Sequence, residues 1–354
     1  MSERSLRACI GADLPAEAFA RCPWRLLLMI PLLALIIGGT VAVIIVPLPW
    51  YAALVVSLLV GSLYASMFFF GHEVGHGAVV QSYRLRHAIL YITGFIYCLS
   101  PHLWMVWHNR VHHGYTNVPE HDPDTFGTLE EFRVRRFSQV LAKFAPGSGH
   151  WLSTLYLLTF FTLQAQGVLW VNSFRPSFRG FTRRRAIVES AAMVALWIGM
   201  GITAGSRGAL LAVVIPMVMA NFVIMSYVVT QHMLRPLADG ADSLRTTMSV
   251  STFRVLDLLF FNNSHHAEHH LFPSMSPRYY PLVRSHLYRQ AADRYLAPSH
   301  WHALLLVFRT PRIYADAWTL VQPGSGQHVP ILDIETALRT GHRRPEACVS
   351  QGAS

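Results

Sequence analysis

Asn262-Asn263-Ser264-His265-His266-Ala267-Glu268-His269-His270-Leu271-Phe272-Pro273 sets four imidazoles within six residues. On a helix His266 and His270 lie four apart and His269 three from His266, so all three are expected to face one point. Neutral imidazole is the commonest protein ligand for transition metals, and the run reads as part of a metal site. The plain alternative is a solvated polar turn. Whether other segments supply matching imidazoles decides between them.

Two segments do. In His108-Asn109-Arg110-Val111-His112-His113 a histidine is again followed about one helical turn later by an adjacent pair. His108 and His112 are expected to share a face, with His113 beside them. Thr116-Asn117 and Asp122-Pro123-Asp124 follow. Earlier, His72 and His76 stand at i and i+4 at the end of an apolar run. Read alone, His72-Glu73-x-x-His76 is the zinc-protease signature with Glu73 as general base. An intramembrane protease would need a further ligand, and Glu189 is the one acid its apolar segments offer. Three runs on one chain make coincidence a poor account.

The surroundings are those of a polytopic membrane protein. The 354 residues are 52% hydrophobic and only 14% charged, with mean hydropathy +0.33; soluble domains carry about 25% charge. Residues 26–46, 50–70, 186–204 and 208–229 are each about long enough to span a bilayer. Pro47-Leu48-Pro49 separates the first two and Gly205-Ser206-Arg207-Gly208 the last two. Residues 87–107 and 151–171 are also apolar, but a single crossing by 87–107 would put His72 and His76 on the opposite face from His108–His113. Both stretches are therefore expected to lie in the interface, with Gln164, Gln166 and Asn172 on a half-wet segment.

The net charge of +10 follows the positive-inside pattern rather than a nucleic-acid footprint, and no nucleic-acid module is present. Arg21, Arg25, Arg84, Arg86, Arg133, Arg135, Arg136 and Arg183–Arg185 fall on the histidine side and Arg207 on the other. That makes the histidine side and both termini cytoplasmic. Residues 1–25 read as a polar leader with no cleavable signal, 26–290 as the membrane domain, 291–335 as a cytoplasmic cap and 336–354 as a disordered tail. Cys9, Cys22, Cys98 and Cys348 show no paired spacing, so any metal is held by nitrogen and oxygen.

The three histidine runs, Leu271-Phe272-Pro273, and the Thr-Asn and Asp-Pro-Asp trailers together resemble the integral-membrane fatty acid desaturase family, over roughly residues 25–290. The resemblance implies an all-α fold of four transmembrane helices, interfacial helices and a histidine-rich cytoplasmic cap. It implies two iron ions held by His72, His76, His108, His112, His113, His266, His269 and His270. A ninth ligand is implied just after the fourth span, where His232 stands. His265 is an extra imidazole, either supporting the ligands or competing with His266. Glu73, Glu268, Asp122 and Asp124 are candidates to orient ligands, because metal-bound imidazoles usually give their second N–H to a carboxylate or carbonyl. His102, His121, His150 and His286 have no spacing partner and are expected to face solvent.

An unactivated methylene C–H lies beyond acid–base catalysis, so a redox metal must carry the chemistry. The expected reaction uses O2 and two external electrons to place a double bond in the acyl chain of a lipid or acyl thioester. The aromatic stretch with Phe95, Tyr97, Trp104 and Trp107 is a candidate wall for the acyl tunnel, or else an interfacial belt. No His-Pro-Gly-Gly haem-binding segment occurs, which points to a separate ferredoxin or cytochrome as electron donor. A membrane hydroxylase on the same scaffold is the nearest alternative, the zinc protease a more distant one.

Overall fold

A computed structural model describes residues 2–340. The protein is an all-α membrane protein: among the described residues the sheet is confined to one antiparallel meander, Ile313–Asp316, Thr319–Gln322 and Gln327–Pro330, in the C-terminal cap. Four helical stretches are long and apolar enough to cross a membrane: Pro23–Ile45, Trp50–Gly75, Trp151–Phe174 and Arg183–His232.

The second stretch positions the site. Trp50–Gly75 is one helix of 26 residues, about 39 Å long at 1.5 Å per residue, against a hydrocarbon core of about 30 Å. It is therefore longer than the apolar layer, with His72 on its last turn. Gly77, at φ +78°, ends the helix in a backbone region that disfavours other residues.

The last stretch is two rods. Arg183–Gly208 leaves the helical path at Gly205 (φ 68°, ψ 178°), a π-helical segment Ala209–Val214 follows, and Ile215–His232 completes it. The glycine-bearing turn expected between residues 204 and 208 is thus present, though helical hydrogen bonding runs closer to it than the sequence implied. The Arg207 guanidinium donates to the Leu48 carbonyl, so this reversal sits beside the proline turn joining the first two spans. Both reversals share one end of the bundle, and the histidine runs occupy the other.

Residues 87–107 form no continuous rod. Tyr83–Thr93 is followed by the tight turn Phe95–Tyr97, Cys98 in the left-handed region (φ 52°), and the short helix Pro101–Val106. None of these pieces is long enough to cross a bilayer. Residues 151–171 differ, since the Trp151–Phe174 stretch meets a span's length and composition.

Close backbone approach holds the bundle together. A Cβ on Gly61 would stand 2.6 Å from Met219 Cβ and from the Pro216 carbonyl oxygen, so the second and fourth spans meet where a side chain is missing. Above that contact Phe68, Tyr97, Trp104 and Phe161 pack edge to face, with centroids 4.9–5.1 Å apart. The N-terminal leader forms the helix Glu3–Asp13, capped by Ser2 and buried through Leu6 and Ile10 in one apolar cluster with Tyr280, Val283 and Leu287. At the other end Ile331–Thr340 is helical with Ile331, Ile334 and Leu338 buried. Order therefore extends past residue 336, where a disordered tail was expected to start; 341–354 lie outside the described residues.

Candidate metal centre

The nine histidines expected as ligands of two ions converge on two points. His72, His76, His108, His113 and His269 form one set, and His112, His232, His266 and His270 the other, with the ligand atoms of each set within 4.8 Å of one another. The sets abut where His113 stacks on His270, centroids 4.2 Å apart.

Local helix geometry explains the partition. The second and third runs, read from sequence as one pattern, differ by a residue: His108-x-x-x-His112-His113 against His266-x-x-His269-His270. Trp107–His112 is π-helical, and a π-turn aligns residues five apart. His108 and His113 accordingly share the first set; His112 contributes to the second, while its ring stacks on His108 with centroids 5.2 Å apart, as expected of two residues on one face. His266–Leu271 is α-helical, which aligns residues four apart, so His266 and His270 share the second set and His269 turns to the first. The extra residue in one run is absorbed by the wider helix.

Two left-handed residues in succession, Phe261 (φ 52°) and Asn262 (φ 58°), redirect the chain into His266–Leu271. Asparagine tolerates this region; for phenylalanine it stores about 1–3 kcal/mol of strain. Asn262 Nδ2 fixes the turn by donating to the Pro277 carbonyl, 3.0 Å away.

The donor set fits a metal. Nε2 of His72 lies 2.7 Å from Nε2 of His108, which lies 3.2 Å from that of His113; His269 and His113 are 3.1 Å apart. In the second set His266 Nε2 is 2.7 Å from His232 and 3.1 Å from His270. Nitrogens bound at about 2.0–2.1 Å to one ion would be roughly 3 Å apart at right angles. Nε2 of His76 is buried with no hydrogen-bond partner. Burial, reinforced by neighbouring imidazoles, holds His108, His113, His266, His269 and His270 well below the usual histidine range. They are therefore neutral, the form that binds metal.

His112 is different. Burial would lower it, but Asp122 and Asp124 outweigh that and hold it up at about 10. Its Nδ1 lies 3.2 Å from Asp122 and 3.1 Å from Asp124; its Nε2 faces the second set and takes a metal only on giving up its proton. Asp122 also accepts from the backbone N–H of Asn117 and of Asp124, each at 3.0 Å, so it both builds the turn and faces the ring. Asp124 Oδ1 accepts from Trp107 Nε1 at 2.9 Å and from Gln164 Nε2 at 2.8 Å.

The other charged candidates act at one remove. Arg25 holds both oxygens of Glu73, Nε to Oε1 and Nη2 to Oε2 at 2.8 Å each; a protease base would have to be free of that pairing. Glu189 accepts from Ser100 Oγ at 2.6 Å and pairs with Arg185 and His87, in neither histidine set. Burial opposes ionisation of Glu268, but Arg284, 2.9 Å away, outweighs it and keeps the carboxylate below its usual range. Tyr295 and Ser249 donate to Glu268 as well, so it anchors the His266–Leu271 helix without touching a ligand ring. His265 stands outside both sets, 3.0 Å from Ser264 Oγ, and burial with the Arg284 charge pushes it down to about 4.

Several supporting contacts had no motif. Tyr280 Oη lies 3.0 Å from His269 Nδ1. Trp104 stacks flat on His108, centroids 4.2 Å apart. Asn109 Nδ2 and Arg86 Nη1 both cap the Gly75 carbonyl, at 2.8 and 3.1 Å, tying the second histidine run to the end of the span that carries the first. Of the four proposed tunnel aromatics, Tyr97, Trp104 and Trp107 lie in packed core and the partly buried Phe95 stacks on Trp197. An apolar cavity of about 300 Å³ exists elsewhere, between residues 123–144 and 156–172. His286, expected in solvent, is buried, with Asp13 3.5 Å from its Nδ1, and His102 stacks on Phe181.

With two histidine sets at one end of a helical membrane bundle, comparison with known proteins names the scaffold. A sequence model described as Fatty acid desaturase matches residues 48–302. The chain belongs to the fatty acid desaturase family. The match takes in all nine histidines. Two curated relatives are both described as Delta 8-(E)-sphingolipid desaturase: one from Emericella nidulans, 38% identical over 78 residues, and one from Komagataella phaffii, 37% identical over 76. These matches cover 22% and 21% of this family member and 14% of either relative's length.

Proposed function

We propose that this protein is an oxygen-dependent desaturase that introduces a double bond into the hydrocarbon chain of a lipid or acyl thioester. The observation that carries the reading is the gathering of nine imidazoles into two adjoining sets at one end of the bundle. Two irons held there would supply the dioxygen activation and redox power that an unactivated methylene requires. Across the reaction, O2, two electrons, two protons and two hydrogens from neighbouring carbons give an alkene and two waters.

The chain's own contribution is positioning. His72, His76, His108, His113 and His269 would hold one ion and His112, His232, His266 and His270 the other. Asp122 and Asp124 orient His112, and Tyr280 orients His269. The low exposure of the second set, 2–6% for its four rings, keeps bulk water from the reacting carbon. The distribution of arginine supports a cytoplasmic location for the histidine end and both termini. Electrons would come from a separate ferredoxin- or cytochrome-type donor attracted by that basic face.

The relatives' descriptions add sphingoid chains to the substrates worth profiling. The test is a mass-spectrometric lipid profile of cells expressing wild type or His112→Ala, with a ferredoxin or cytochrome donor co-expressed and iron measured in the purified protein. A new double bond in both fatty acyl and sphingoid fractions, or in either, that vanishes in the variant is expected. An iron-loaded wild type that alters neither fraction would sink the reading.

A further inference from the structure

The cavity between residues 123–144 and 156–172 is unused by the metal centre. Its wall is mostly apolar, with Phe126, Leu141, Phe144, Phe160 and Val168 among its lining, and it encloses about 300 Å³, the lower end of the range for ligand pockets. A mostly apolar wall of this kind favours apolar guests over water. Its rim is exposed: Phe137 by 61%, Leu163 and Val171 by 54% each. Leu163 and Val171 belong to a stretch apolar and long enough to lie within a bilayer, so the rim is continuous with a surface that meets lipid. One side of the cavity is the helix Arg136–Phe144, whose Ser138, Leu141 and Ala142 line it with Phe137 at the rim. Arg133, Arg136 and Lys143, on or beside that helix, are exposed. Basic residues at a membrane surface attract anionic headgroups.

We infer that this cavity is a binding site for one hydrocarbon chain of an anionic bilayer lipid, entered sideways between residues 136–144 and the Leu163–Val171 face. None of the nine gathered histidines lines it. Its floor includes Asp124, which meets His112 on the Nδ1 side, so the imidazole stands between the guest and the metal set that its Nε2 faces. Asp124 is bonded to His112, Trp107 and Gln164; the guest chain packs over that polar floor and shields it from water. The inference does not depend on the reaction proposed above.

Gly167 gives a clean test. It lines the cavity, and a Cβ there would meet no atom within 4 Å, so the side chain of Gly167→Trp starts from open space and is expected to occupy the cavity. Gly199 is equally open but lies on the exposed face of Arg183–Gly208, away from the cavity, and Gly199→Trp serves as control. The full-length protein would be placed in phosphatidylcholine nanodiscs doped with a phosphatidylglycerol carrying a mid-chain diazirine, irradiated, digested and mapped. Labelling concentrated in residues 123–144 and 156–172 is expected, with a several-fold loss in Gly167→Trp and none in Gly199→Trp. Labelling spread evenly over the lipid-facing helices, or equal in wild type and Gly167→Trp, would overturn the inference. Iron content and thermal midpoint of each variant, measured alongside, guard against misfolding; should Gly167→Trp misfold, Gly167→Leu is carried through the same comparison.

Discussion

Arg25 shows how far a single residue's role departs from its first reading. In the sequence it counts as one positive charge beside a span. In the fold it is 8% exposed and clasps Glu73 through two parallel hydrogen bonds of 2.8 Å, one residue from His72. Removing one member of a buried pair strands the other charge, at a cost of about 3–5 kcal/mol. Arg25→Met is therefore expected to lower the thermal midpoint sharply, whereas Arg25→Met combined with Glu73→Leu should recover much of the loss. A double variant no more stable than the single would mean that the pair is not what holds this end of the span. Asp124 and Tyr280 belong to the same class: each meets the Nδ1 side of a ring gathered in the histidine sets.

At the scale of elements, the contact between the second and fourth spans is the most demanding. Where Gly61 passes Met219 and Pro216 there is no room for a side chain, and overpacking such a site costs about 1–3 kcal/mol. Gly61→Leu should lower the thermal midpoint in detergent, and because these spans deliver His72 and His232 it should weaken iron retention as well. Gly38 has open space around it and Gly38→Leu should do neither. An unaffected Gly61→Leu protein would show that the two helices tolerate separation. The π-helix at Trp107–His112 matters at this scale too, since an α-helical path there would rotate His113 away from His108.

For the whole molecule the decisive quantity is which end faces the cytoplasm. The two chain reversals share one end and the histidine sets the other, so one orientation fixes everything. Cys9 is exposed on the N-terminal helix, and Arg207 stands at the opposite reversal. In intact cells a membrane-impermeant maleimide is expected to leave Cys9 unlabelled and to label the cysteine of Arg207→Cys in a Cys9→Ser background. The reverse pattern would invert the orientation, and with it the face offered to an electron donor.

The sequence by itself determined the class of membrane protein and eight of the nine gathered histidines, because hydropathy and histidine spacing are local signals carried by consecutive residues. His232 needed the family resemblance, since a lone histidine after a span has no spacing to betray it. Only the tertiary structure decided how the nine divide into five and four. That division depends on a π-turn in one run and an α-turn in another, and on two helices meeting head to head across more than 150 residues of chain, as His113 and His269 do. The same holds for Arg25 on Glu73 and Tyr280 on His269: no periodicity links residues so far apart, and only packing brings them into contact.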